Sequence, residues 1–159
     1  MLFKKRISQN DFSILIFQIG YDRYSFLKKQ FNNQIEFKDS LLFSVTEILS
    51  AMLIKRIYYY KNININFDIV ESVNKFVYNS YTNEEFKFNY LQYYLYLKEE
   101  LWNIIKSDDT DMIYKLSDYF ISEITDGVNN DFVPRNYISK LITNWYFESK
   151  KIINNFVIK

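Results

Sequence analysis

Four charged residues fall on stripes that are otherwise apolar, and a charge turned toward an interior is where binding chemistry would begin. Arg23 lies between Ile16, Ile19 and Leu27 at helical spacing. Arg56 continues the line of Val45, Leu49 and Met52. Glu123 falls among Met112, Leu116, Tyr119 and Phe120, and Glu148 on the stripe of Tyr137, Leu141 and Trp145. A lone buried charge costs several kcal/mol, so such groups are paired or border a water-filled recess. Arginine suits the pairing because its planar fork meets a carboxylate with two hydrogen bonds. Three readings are open. The charges form interhelical bridges that fix register; they line a polar pocket for a small anion or polar ligand; or the helical phase is off and they stand in water. Arg23, Arg56, Glu123 and Glu148 are therefore the candidate ligand-binding set.

Tyrosine supplies the second candidate chemistry. Tyr58, Tyr59 and Tyr60 are consecutive, and Tyr90, Tyr93, Tyr94 and Tyr96 crowd one later segment. Tyrosine is common at protein contacts because it buries a large area at low entropic cost. The plainer reading is an aromatic-rich core whose hydroxyls reach the surface. Tyr58, Tyr59, Tyr93 and Tyr96 are the candidate protein-binding residues.

Other clusters read more simply. Asp108, Asp109 and Asp111 lack the glycine and distal glutamate of a calcium loop, and suit the start of a helix. Glu84-Glu85 and Glu99-Glu100 are adjacent pairs that point two ways on a helix, so they read as a solvated face rather than an acid/base couple. Lys4-Lys5-Arg6, Lys28-Lys29 and Lys150-Lys151 also read as solvated faces.

Much chemistry is missing from the chain. It has no His and no Cys, which removes the usual general base, the thiolate nucleophile and Cys-ligated zinc. Its glycines are Gly20 and Gly127 alone, so no glycine-rich phosphate loop can be written. Carboxylate, lysine and tyrosine chemistry remains, but no motif organises it. The reading is a protein that is not an enzyme and needs no cofactor or metal.

The elements that carry these residues follow from composition and period. The chain has 159 residues, 48% hydrophobic and 20% aromatic, enough for one domain with a real core. With 20 basic and 19 acidic residues, it offers no electrostatic preference for nucleic acid or an anionic membrane. The wealth of Ile, Asn, Lys, Tyr and Phe, against two Gly and one Pro, reflects an A/T-rich coding sequence. That weakens the aromatic load as evidence for stacking on bases or sugars.

Six helices are expected. The first runs from about residue 10 to 32, capped by Ser8 or Asn10. The second runs from Asp39 or Ser40 to Tyr60. The third starts at Asn66 or Asp68 and ends near Tyr81. The fourth follows Thr82-Asn83-Glu84-Glu85 and reaches about Lys106. The fifth is capped by the run 107–111 and ends at Gly127, and the sixth is opened by Pro134. The alternating segment 62–66 is too short and isolated for a sheet and reads as a loop. The second helix is apolar around most of its circumference, leaving a narrow strip of Ser44, Glu47, Ala51 and Lys55 for solvent. The expected fold is thus all-α: a compact bundle of about six helices, mostly antiparallel neighbours, with helix 2 (40–60) central and residues 1–7 loose.

The basic N-terminus is followed by Ser8, Gln9, Asn10 and Asp11 rather than an apolar run. The most apolar stretch, 41–54, contains Glu47 and falls short of the ~20 residues of a membrane span. The expectation is a soluble, cytoplasmic protein of a bacterial or infected host cell, acting on a partner protein in the manner of an immunity protein or a phage or viral inhibitor. Nucleic acid is disfavoured, and a homo-oligomer is compatible with the pattern. The alternative is a small-ligand sensor built on the Arg/Glu recess.

Overall fold

A computed structural model describes residues 4–31, 39–124 and 135–158. The order is β1 (Lys5–Ile7), α1 (Gln9–Phe31), α2 (Asp39–Tyr60), α3 (Ile69–Ser80), α4 (Glu84–Ile105), α5 (Asp109–Tyr119), a short π-helical turn (Phe120–Ile124), α6 (Arg135–Asn155) and β2 (Phe156–Ile158). The described residues form an all-α bundle of six helices. Gly127 and Pro134, expected to end and open helices, lie outside the described residues.

Helix starts follow side-chain chemistry. Ser8 Oγ accepts from the Asp11 amide at 3.1 Å, Asp68 Oδ1 from Glu71 at 3.0 Å, Asn83 Oδ1 from Phe86 at 2.9 Å and Asp108 Oδ1 from Asp111 at 3.1 Å. Each satisfies an amide that the first helical turn leaves unpaired. Between α2 and α3 the chain turns through Asn62, whose φ of 50° lies in the left-handed region that asparagine tolerates.

From α1 through α4, and again from α5 to α6, consecutive helices run antiparallel where they touch. Phe12 near the start of α1 meets Tyr58 near the end of α2, while Tyr24 meets Phe43. Asp68 pairs with Lys55 across α2 and α3, Lys98 and Lys87 of α4 reach Glu71 and Tyr78 of α3, and Ser117 of α5 touches Ser139 of α6.

α2 is the hub and packs on α1, α3, α4 and α6. Every residue from Leu42 to Ile54 is buried. The expected solvent strip is therefore corrected: Ser44, Glu47 and Ala51 are buried and only Lys55 is part-exposed. The reason lies in α1. A Cβ added at Gly20 would stand 2.6 Å from the Glu47 carboxyl carbon, so the glycine lets α1 close directly over that strip. The hydroxyls buried with it bond back into the helix, Ser44 to Ser40 O, Thr46 to Phe43 O and Ser50 to Thr46 O. Ser50 also accepts from Trp145 Nε1 at 3.0 Å, tying α6 to the hub.

The N-terminal segment is corrected too. Residues 5–7 form a parallel two-stranded pair with 156–158, Arg6 opposite Val157. Ile7 and Ile158 pack against the core, which gives these strands the apolar support that a short pair needs.

Candidate functional site

The charged residues on apolar stripes resolve into two separate pairs. Arg23 Nη2 donates to Glu148 Oε2 across α1 and α6. Arg23 is half-buried, but the Glu148 side chain is 51% exposed, so this bridge lies at the rim. The long arginine reaches outward to its partner, and Glu148 is not an interior group. Arg56 is 3% exposed. Its Nη1 donates to Ile105 O at 3.0 Å and its Nη2 to Asp109 Oδ1 at 2.5 Å. The Tyr60 ring stands 4.4 Å from its guanidinium carbon and the Tyr146 ring 5.7 Å. Burial works to lower the Arg56 pKa, but the bonds to Asp109 and Tyr60 and the nearby acidic groups outweigh it, so the guanidinium is held charged.

Arg23 and Arg56 line different recesses, so they do not form one pocket. The Arg56 recess is open, about 640 Å³, and bordered by Tyr60, Lys61, Asp109, Tyr146 and Lys150. The Arg23 recess is narrow and otherwise walled by apolar side chains, Leu27, Phe120 and Trp145 among them. The side chain of Glu123 lies outside the described residues.

The acidic run is structural in its contacts. Asp108 caps α5, Asp109 holds Arg56 and Asp111 pairs with Lys115 at 2.9 Å. Local capping accounts for one of the three. The role of Asp109 could not be read locally, because its partner lies on α2.

The tyrosine candidates also separate. Tyr58 is buried edge-on to Phe12 and belongs to the core. Tyr93 is part-buried against the core. Tyr59 and Tyr96 are 64% and 53% exposed. Tyr59, next to last in α2, sets its ring edge-on to Trp102 of α4 at 6.2 Å.

That contact leads to a face the tyrosine pattern did not single out. On α4, Phe88 is 62% and Leu95 60% exposed. Together with part-buried Trp102 they recur every seven residues, and at ~100° per residue such positions drift only ~20° per step. Leu91, also part-buried, lies beside them. The result is an apolar ridge along the outside of α4, about 21 Å from Phe88 to Trp102 at ~1.5 Å per residue, prolonged by Tyr59. The other face of the same helix, Tyr90, Tyr94, Leu97, Leu101 and Ile105, is buried. α4 is thus more apolar than one-sided burial requires, and that excess was the available signal in the sequence.

Charge around the ridge is acidic toward the Phe88 end and mixed at the Trp102 end, where Lys55, paired to Asp68, stands 5.0 Å from the Trp102 ring. Both lysines of α4 are turned toward α3, Lys98 to Glu71 at 2.5 Å and Lys87 over the Tyr78 ring at 4.4 Å. Glu84, Glu85, Glu99 and Glu100 are exposed. Lys87 also reaches Glu84, but at 3.5 Å and with the Glu84 side chain 83% exposed.

One further polar group was missed. Glu47 is fully buried, and neither oxygen finds a hydrogen-bond donor among the described residues. Burial, with the like charge of Asp22, pushes its pKa well above the usual carboxyl value. The Tyr90 hydroxyl is likewise buried without a partner among the described residues, and Glu47 contributes to raising its pKa. Sequence periodicity placed Glu47 on a solvent strip; the signal against that was Gly20, a glycine inside α1.

No protein-family model, curated protein or solved structure matches the chain. The functional reading therefore rests on its own surface and interior.

Proposed function

We propose that the protein is a binding protein that acts by occupying another protein, through the outer face of α4. The observation that carries this reading is the ridge of Phe88 and Leu95, both more than half exposed at seven-residue spacing. Exposed apolar side chains scattered singly need no explanation, but an aligned row on one helix marks a contact surface. Tyr59 and Trp102 extend the row, and Tyr96 flanks it. Aromatic residues of this kind dominate the energetics of protein contacts. An inhibitory or neutralising role, in which binding itself is the activity, suits a chain without histidine, cysteine or a phosphate loop.

The test is a double variant, Phe88→Ala with Leu95→Ala, assayed against the partner captured from cells that make the protein. Binding should weaken by about 30-fold or more, as for residues worth ~2 kcal/mol. The melting temperature should hold, because exposed truncations usually change stability by within ~0.5 kcal/mol. Tyr93→Ala with Tyr96→Ala tests the flank, and intact binding there would confine the contact to the ridge. Undiminished binding by the Phe88/Leu95 variant would refute the reading.

A second reading draws on the Arg56 recess. A charged guanidinium between two tyrosine rings, with Lys61 and Lys150 at the mouth, suits a small polar or anionic ligand. A ligand of that kind would raise the melting temperature by mass action. No shift across a panel of anionic metabolites would dismiss it.

A further inference from the structure

Resting on the protein-contact reading of α4, we infer that the occupant of the ridge is a basic amphipathic α-helix of a different protein. Two independent features point there. The first is spacing. Positions 88, 95 and 102 repeat every seven residues, with Leu91 between the first two. That is the register in which a second helix lies along the first and sets its side chains between them. An extended strand reads alternate residues and would not follow a seven-residue repeat.

The second feature is charge. Glu84 and Glu85 stand at one end of the ridge and Glu99 near the other, all exposed. The nearby lysines are already engaged, Lys98 by Glu71, Lys55 by Asp68, and Lys87 by Glu84 and the Tyr78 ring, which leaves exposed Glu85 and Glu99 outside these pairs. A partner helix with Lys or Arg beside its apolar seam meets this rim with opposite charge, which guides encounter and orientation. A second copy of α4 would bring acid against acid, so the same rim disfavours self-association through this face.

The experiment uses the full chain with a photo-crosslinking amino acid at position 88 or 95, and at 114 on α5 as a control, in cells that make the protein. The cross-linked peptide is identified by mass spectrometry. The expected result is one segment captured from 88 and 95 but not from 114. Its sequence should show apolar residues at three- and four-residue steps and an excess of Lys and Arg. Glu85→Lys with Glu99→Lys should cut the yield at least tenfold, Glu85→Gln with Glu99→Gln should cut it less, and added salt should release the complex. Both variants change exposed side chains, and an unaltered circular dichroism melt confirms that they fold. Capture of an acidic, neutral or non-helical segment, or a yield indifferent to charge reversal, overturns the inference while leaving the protein-contact reading intact. Capture of a second copy of this chain overturns the heterologous partner. No capture from either position overturns both.

Discussion

Glu47 and Gly20 set the sharpest constraint at the scale of single residues. A carboxyl without a hydrogen-bond donor is tolerated in an interior only in its neutral form. Unfolded, Glu47 titrates near 4.5; folded, burial first and the charge of Asp22 second hold its proton to a much higher pH. Below 4.5 both states carry the proton and the full stability is present. As pH rises beyond that, the unfolded chain gives up the proton while the folded one keeps it. Stability then falls by about 1.4 kcal/mol per pH unit, until the folded carboxyl ionises as well. Glu47→Gln removes this slope. Chemical denaturation should find it more stable than the parent at pH 8 and close to it at pH 4; equal pH dependence in the two proteins would show Glu47 to be solvated. Gly20→Ala places a methyl group against the same carboxyl and should cost about 1–3 kcal/mol, as overpacking does. Combined with Glu47→Ala, which empties that space, it should cost less than the sum of the two single changes. Strict additivity would mean that the two residues do not touch.

At the scale of elements, local chemistry was legible and partnership was not. The limits of α2 and the caps at Ser8, Asp68 and Asp108 could be read because a cap needs only its own first turn. The burial of α2 was legible in degree, since few of its positions are polar. Which neighbour covers its polar strip was not, because period fixes an angle about an axis and says nothing of what stands opposite. The same gap explains Asp109. Its acidic neighbours suggest a helix start, and nothing nearby reveals that Arg56, 53 positions earlier, donates to it. Arg56 itself was correctly turned inward by its stripe, while Glu148 was misplaced: its side chain is exposed at the rim, and the long Arg23 reaches out to it. For α4, a search for tyrosines picked out Tyr93 and Tyr96, but the most exposed apolar side chains are Phe88 and Leu95.

For the whole molecule, the layout separates the packing hub from the exposed apolar row of α4. α2 carries the packing of four helices and is sealed by α1, while α4 presents one face to the hub and the other outward. Truncation of exposed Phe88 and Leu95 should therefore leave the fold intact, and on the proposed reading it weakens binding. The strands at residues 5–7 and 156–158 join the two ends of the described chain. No helix among the described residues is long and apolar enough to cross a membrane. Hydroxyl-radical footprinting of the isolated protein reads both halves of this layout in one measurement, because it reports the solvent access of individual side chains. Tyr59, Phe88, Leu95 and Tyr96 should be oxidised readily, while Met52, Tyr90 and Trp145, reactive by nature, should stay protected until the protein unfolds. Rapid oxidation of Met52 and Trp145 in the folded protein, or protection of Phe88 and Leu95, would contradict the account.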